Sequence, residues 1–215
     1  MPNARPSPRA QRKETARRLL EAFDLDAVAR WAESDSQATR VLQSLLFDED
    51  ELVRWRAVEA IGRAASVLAR AGLEPVRELL RRTLWLMNDE SGGLLWHGPQ
   101  VVAAVLANVP ALCGEFGAVL GSFLEEDPFR AGTRWALWRL APACPRPVAS
   151  RSSELEASLA DPDPAVRGHA ALALGAARGG GRAELACDAA PFAVFDYRSG
   201  DLRTTTVAEA ASGRF

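Results

Sequence analysis

Apolar residues recur along most of this chain with the three- and four-residue spacing of amphipathic helices. Small or apolar side chains at Val53, Ala57, Ala60, Ile61 and Ala64 form one such stripe. Similar stripes begin at residues 94, 129 and 166, so that the four starts are separated by 41, 35 and 37 residues. This period is typical of a repeated unit of two helices. A further apolar helix precedes each stripe, and stacked pairs bury what a single pair leaves exposed.

The spacing predicts an all-α fold, a short right-handed α-solenoid of about four helix pairs with caps at both ends. Residues 192–197 and 202–207 are rich in β-branched and aromatic side chains and flank a turn that contains Gly200, which predicts a β-hairpin. We expect this hairpin to cover the open end of the solenoid. The predicted organisation is a disordered basic tail over 1–11, a helical cap over 12–35, the repeats over 36–178, and a linker with the hairpin cap over 179–215.

Two segments carry the clearest repeat of sequence. DPAVRGHAALALG at 163–175 follows the pattern of DELVRWRAVEAIG at 50–62. This D-P-x-V-R-x-x-A-x-x-A-L-G pattern resembles the HEAT repeat, in particular the short HEAT-like type of phycobilin lyases, over residues 36–178. The central MNDESGG sequence before Trp96 is also similar to a group of small prokaryotic HEAT-repeat proteins that have no assigned activity. The resemblance implies a fold and leaves the function open.

Charge and cysteine content narrow the classes of function. The formal net charge is −2 and Lys13 is the only lysine, which disfavours a nucleic-acid partner. The three cysteines (Cys113, Cys144 and Cys187) are far apart, which favours reduced thiols over a disulfide framework or a zinc site. The N-terminus has no apolar signal region, and no uninterrupted apolar stretch reaches membrane-spanning length. We therefore expect a soluble cytoplasmic protein without metal or cofactor.

Candidate partner-binding residues lie on or next to the second helices of the predicted pairs. They are Arg54, Trp55, Asp89, Glu90, Trp96, His97, Arg130, Arg134 and Trp135. Aromatic side chains beside arginines bind planar or extended partners. Each group also has a structural interpretation. The resemblance implies that Arg54, Arg130 and Arg167 pair with corner carboxylates such as Asp50, Asp127 and Asp163; the tryptophans can fill space between repeats; and residues 88–93 can serve as a helix corner with Asn88 as C-cap.

The first functional hypothesis is a non-enzymatic scaffold or adaptor that binds a protein or peptide on the concave face of the solenoid. A second is a lyase-like enzyme that handles a small molecule or chromophore, with His97 and the Asp89–Glu90 pair as acid and base. A third is a HEAT-like DNA glycosylase, which the mild acidity of the chain disfavours. His97 and His169 are the only histidines and neither precedes a glutamate, which argues against the di-iron hydroxylases of the HEAT class.

Overall fold

The protein is mostly helical and ends in a small β-hairpin, as the sequence predicts. The computed structural model describes residues 7–88 and 94–213, which form twelve α-helices, short 3-10 turns and one antiparallel two-stranded sheet. The elements are α1 (Pro8–Glu21), α2 (Leu25–Ser34), α3 (Ala38–Ser44), α4 (Glu51–Leu68), α5 (Glu74–Met87), α6 (Gly98–Asn108), α7 (Cys113–Leu120), α8 (Arg130–Leu140), α9 (Pro145–Ala149), α10 (Ser152–Ala157), α11 (Pro164–Arg178), β1 (Pro191–Asp196), β2 (Asp201–Thr206) and α12 (Val207–Ala211).

Four long helices form the centre of the molecule. Helices α4, α6, α8 and α11 pack side by side in chain order, and α3, α5, α7 and α10 lie against them as the preceding helices of the pairs. The stripe that begins at Val53 is buried throughout, because α4 contacts α6 on one side and the N-terminal helices on the other. The four predicted second helices are therefore neighbours. Most of their stripe residues belong to one core, whereas Leu94 and Phe129 pack in a smaller cluster with Met87 and Phe123.

The N-terminal tail is shorter than predicted. Ser7 accepts a hydrogen bond from the backbone of Ala10, and Pro8 opens α1, so residues 8–11 belong to a helix. Proline suits this position because the first turn of a helix needs no donor there. Aspartate and serine favour the position before a helix, which predicts Asp24 and Ser36 as N-caps of the second and third helices. Asp24 does cap α2, whereas Ser36 caps no helix, because α3 begins after Gln37. Helix α9 is an element that the sequence pattern does not indicate.

The corner before α4 is held by side chains that bond to the backbone. Asp48 accepts the N–H of Asp50 at 3.2 Å, and Asp50 caps the helix by accepting the N–H of Leu52 at 2.9 Å. Arg54 then reaches back and donates to the carbonyl oxygens of Asp48 and Glu49 at 2.7 and 3.0 Å. These bonds satisfy backbone groups that a helix end leaves without partners.

The corner before α11 repeats this arrangement position by position. Asp161 accepts the N–H of Asp163 at 2.9 Å, and Asp163 caps α11 by accepting the N–H of Ala165 at 2.8 Å. Arg167 donates to the carbonyl oxygens of Asp161 and Pro162 at 2.6 and 3.1 Å. The sequence repeat between 50–62 and 163–175 is thus also a repeat of hydrogen bonds.

The hairpin forms where predicted, but it covers a different surface. Strand β1 pairs with β2 in the antiparallel register Phe192↔Thr205 to Phe195↔Leu202, and β1 packs on α11 while β2 reaches α4. The carbonyl oxygen of Gly200 in the turn accepts a bond from Arg56 at 2.8 Å. The hairpin therefore crosses one face of the helix row from its last helix to its first, and α12 also packs along α11.

Gly200 shows how closely the hairpin turn approaches the N-terminal helices. Its φ of 77° lies in the region that favours glycine, and a Cβ atom there would stand 2.3 Å from the ring of Phe23. Phe23 in turn contacts Phe195 edge to face, with centroids 6.3 Å apart. The turn and the N-terminal cap thus pack directly on each other.

Two of the three cysteines form a disulfide, so the prediction of unpaired thiols is wrong for them. Cys113 opens α7 and Cys144 immediately precedes α9, and their Cα atoms are 6.2 Å apart. Their separation of 31 residues hid this contact, because only the packing of α7 on α9 brings them together. In the chain-entropy model, closing a loop of that length stabilises the fold by about 3.5 kcal/mol. Cys187 is free and exposed.

Membrane-spanning potential is low in the described helices. Within residues 7–88 and 94–213 no single helix has both the length and the apolar composition to cross a membrane. The segments Gly98–Asn108 and Pro110–Phe123 have the required length and composition only when they are taken together, and they are bent by 114° relative to each other.

Docking of the hairpin depends on a glycine in α11. A Cβ atom at Gly168 would stand 2.3 Å from Cζ of Phe192, so Gly168→Ala should push this ring off the helix and lower the free energy of unfolding by about 1–3 kcal/mol. Urea unfolding measures the loss. Gly114→Ala in α7 is the matched control, because open space surrounds that position, and it should shift stability by less than about 1 kcal/mol. Equal effects of the two substitutions would contradict this account of docking.

Candidate functional site

Aromatic side chains fill the space between the helix row and the hairpin. We call this part of the row the hairpin-facing surface and define it by Trp55, Trp135, Trp138, Arg139 and His169. Trp55 stacks on Phe195 of β1 with centroids 5.2 Å apart and planes at 15°. Trp135 also contacts Trp55, at 4.9 Å, and donates its indole N–H to the carbonyl oxygen of Phe195 at 2.9 Å. The two tryptophans therefore hold the strand through both its side chain and its backbone.

Trp55 and Trp135 were predicted to contact a partner, and in this structure the chain itself is their partner. Trp135 is fully buried and Trp55 nearly so. The structural interpretation, in which the tryptophans fill space, is the one that the packing supports for these two and for Trp138. Sequence periodicity could not show this, because the residues lie off the stripe that faces the neighbouring helices and are covered by a distant segment.

The turn end of the hairpin carries a second aromatic group. Tyr197 packs against Trp138 with centroids 5.0 Å apart, and the guanidinium groups of Arg139 and Arg198 lie 4.5 and 4.9 Å from the Tyr197 ring centroid. Both distances lie within the range of cation–π attraction. Burial raises the pKa of Tyr197, so that its phenol stays neutral at physiological pH.

Below Tyr197 lies an ion pair that sequence analysis missed. Arg139 of α8 donates two hydrogen bonds to the carboxylate of Glu59 in α4, at 2.8 and 3.0 Å. Glu59 is buried and Arg139 nearly so, and the pair bridges two helices that α6 separates along the row. The signal in the sequence was a single glutamate among the apolar residues of α4, which is costly to bury without a partner.

His97 packs beside this surface. Its ring meets Trp55 edge to face at 5.0 Å. Burial, with a smaller contribution from the charge on Arg54, lowers the pKa of His97 to about 4. The imidazole is therefore neutral at physiological pH. Its ring is held by packing on Trp55 rather than by a charged partner.

His169 is the second buried histidine and lies under β1. Its ring meets Phe192 edge to face at 5.2 Å, and neither ring nitrogen has a hydrogen-bond partner among the residues the structure describes. Burial lowers its pKa to about 3, against a smaller opposing effect of the Ala131 backbone. Gln100 of α6 likewise has a buried side-chain oxygen without a described partner. The core therefore contains polar side-chain atoms of His169 and Gln100 that have no hydrogen-bond partner among the described residues.

The predicted arginines serve the architecture. Arg130 pairs with Asp161, and Arg54 bonds the corner carbonyls described above. Arg134 is 1% exposed and donates to Ser158, to Glu125 and to the backbone of Leu124. It is therefore not available to a partner. The corner carboxylates named from the sequence are not the acceptors: Arg130 uses Asp161 and Arg167 uses Asp188.

The central corner keeps its aromatic side chains in solvent. Trp96 is 65% exposed, and so is Trp85 at the end of α5, which sequence analysis did not select. The backbone N–H of Leu95 donates to the carbonyl oxygen of Leu86 at 3.2 Å, so the two tryptophans adjoin the same backbone contact. We call Trp85 and Trp96 the tryptophan corner.

Other predictions for this corner have mixed outcomes. Asn88 ends α5 as its C-cap, as predicted, and donates its side-chain amide to Leu84 at 2.8 Å. Helix α6 begins at Gly98, after Trp96 and His97, because Pro99 occupies its first turn. Asp89 and Glu90 lie outside the described residues, so their predicted role stays a prediction.

The ionisable groups next to β1 are engaged in packing and ion pairing. Among residues 7–88 and 94–213 no group of three or more His, Cys, Asp or Glu side chains is arranged to hold a metal ion. The carboxylate of Glu59 is bound to Arg139, and His97 is neutral. The hairpin-facing surface is filled by β1, whereas the tryptophan corner is open.

Comparison of the chain with protein-family models, with curated proteins and with solved structures finds no match.

The Glu59–Arg139 pair is expected to couple strongly. Glu59→Ala or Arg139→Ala leaves an unpaired buried charge, so each should lower the free energy of unfolding by about 3 kcal/mol or more. The double substitution should cost clearly less than the sum of the two. Urea unfolding of all four proteins gives the coupling, and Arg70→Ala, which breaks an exposed pair with Glu33, should cost less than about 1 kcal/mol. Additive losses would exclude the coupling.

Stability should decrease as the pH falls below about 6.5. His97 and His169 are neutral in the folded protein, with pKa values of about 4 and 3, but take up protons near the ordinary value of 6.5 when unfolded. Protons therefore favour unfolding in this window, by about 1.4 kcal/mol per pH unit for each histidine. Urea unfolding between pH 7 and pH 5, above the titration of most carboxylates, measures the effect.

Substitution of each histidine tests whether the two histidines cause this pH dependence of stability. His97→Gln and His169→Gln remove one titrating group each, so each should halve the change in stability between pH 7 and pH 5. An unchanged pH dependence in both variants would show that the histidines are not its source.

Proposed function

We propose that this protein is a non-enzymatic adaptor that binds a protein or peptide partner at the tryptophan corner. The supporting observation is the 65% exposure of both Trp85 and Trp96 at one corner of an otherwise well-packed helical domain. Tryptophan is a costly residue to leave in water, and it is among the residues that contribute most to protein interfaces. The partner would present apolar side chains to the two indoles.

The proposed scaffold is a short right-handed α-solenoid of about four HEAT-like helix pairs. Its support is the chain-ordered packing of α4, α6, α8 and α11 and the repeated corner hydrogen bonds at 48–54 and 161–167. Such a scaffold is rigid, so the tryptophan corner is a largely preformed surface whose binding requires little rearrangement.

The proposed contact surface differs from the one that the sequence predicts. A concave-face site would need Trp55 and Trp135, which already hold β1. The DNA glycosylase would need aromatic residues of the same surface for a nucleotide. The lyase-like enzyme would use His97, whose ring packs on Trp55, together with Asp89 and Glu90. The adaptor hypothesis therefore keeps Trp96 from the original set of candidates and adds Trp85.

We place this adaptor in the cytoplasm. A cytoplasm keeps thiols largely reduced, and disulfides found there are usually transient. This location therefore requires that the bond between Cys113 and Cys144 be reversible.

Trp85→Ala with Trp96→Ala tests the proposed surface. The double variant should lose partner binding at least about tenfold, because exposed indoles at the centre of an interface contribute strongly to affinity. Affinity capture from the native cytoplasm, read by mass spectrometry and followed by titration of the recovered partner, measures the loss. Circular dichroism should be unchanged, since neither side chain is in the core.

Phe47→Ala is the matched control, because Phe47 is also a large exposed apolar residue, 59% accessible, but lies between α3 and α4. It should bind like the wild type. Equal capture by the wild type and the double variant would exclude the tryptophan corner as the contact surface.

A further inference from the structure

The disulfide lies at the rim of an open pocket on the side of the molecule formed by α7 and α9. The pocket has a volume of about 580 Å³, and both cysteines line it together with Gly114, Arg146 and Ser150. This volume is within the range of small-molecule sites in proteins. The bond is therefore next to a space that a small reactant can enter.

The two cysteines differ in exposure. Cys144 is 4% exposed, whereas Cys113 at the start of α7 is only partly buried. Thiol–disulfide exchange requires a thiolate to approach one sulfur along the S–S axis, so access selects the atom that is attacked. A reactant in the pocket would therefore meet Cys113 first.

The charge of the pocket selects the kind of reactant. Arg146 is the only charged residue among those that line it, and it is exposed. Within residues 7–88 and 94–213 its guanidinium group has no hydrogen bond or ion pair, so it can accept a carboxylate from outside. A thiol that carries a negative charge is favoured over a cationic one.

We propose that Cys113 and Cys144 form a thiol–disulfide exchange site for a small anionic thiol that binds beside Arg146. The thiolate attacks Sγ of Cys113, the bond between Cys113 and Cys144 breaks, and Cys144 leaves as a thiolate that takes a proton from water. The product is a mixed disulfide on Cys113. A second thiol molecule can then release Cys113, and the two small thiols leave joined as their own disulfide, which balances the two-electron reduction of the protein.

The site acts on a contact between helices. The disulfide joins the start of α7 to the start of α9, and the close approach of Gly117 to Pro147, where a Cβ atom would stand 2.6 Å from the proline ring, joins the same two helices. Exchange removes the covalent link and leaves this packing in place. The fold therefore persists while the pocket gains a bound thiol.

The test uses the full chain with Cys187→Ser, which removes the exposed third thiol. The oxidised protein is incubated at low salt with reduced glutathione or with cysteamine, quenched with acid, alkylated and mapped by mass spectrometry. Glutathione should be found on Cys113 and the alkylating group on Cys144. Per thiolate, glutathione should react about two- to fivefold faster than cysteamine, as expected for one partly screened ion pair.

Two further variants assign the charge effect. Arg146→Gln should abolish the preference for glutathione, whereas Arg40→Gln, which removes an exposed arginine on α3, should retain it. An adduct mainly on Cys144, the same preference without Arg146, or two free thiols before any reductant is added would each overturn the proposal. Because these readouts do not involve Trp85 or Trp96, they are independent of partner binding.

Discussion

The contact between Phe195 and the tryptophans of the helix row is the interaction on which the rest of the structure depends. A two-stranded hairpin is only marginally stable alone, and a row of helices whose outward positions are Trp55, Trp135 and Trp138 would expose a large apolar surface alone. Each element therefore stabilises the other. The bond from Trp135 to the carbonyl oxygen of Phe195 also satisfies a backbone group of β1 that its partner strand does not reach.

Electrostatic pairs link elements along the chain. Arg17 pairs with Asp48, Arg130 with Asp161, and Arg167 with Asp188, so an arginine of one element bonds an aspartate that lies just before a later one. The hydrogen bond to Arg167 lowers the pKa of Asp188, which in turn accepts the N–H of Ala190 just before β1. Pairs of arginine and aspartate thus hold both the helix corners and the residues that lead into the hairpin.

These contacts divide the molecule into surfaces with different roles. The hairpin-facing surface contains three of the six tryptophans and the buried His169, yet it is closed by the chain itself. The tryptophan corner and the pocket beside Cys113 remain accessible, and none of the residues that define them belongs to the hairpin. Both are small, separate sites on a well-packed helical support.

The sequence by itself determined most of the helices, their spacing and the hairpin. Helical stripes, the caps Asp24 and Asn88, the hairpin and the glycine break after Arg178 follow from local spacing and backbone preference, which neighbouring residues decide. The tertiary structure alone decided which segment covers which face of each helix. The burial of Trp135, the pairing of Glu59 with Arg139 across 80 residues and the joining of Cys113 to Cys144 all depend on packing between segments far apart in the chain. Periodicity records which face of a helix is apolar, but it carries no information about which distant segment will cover the other face.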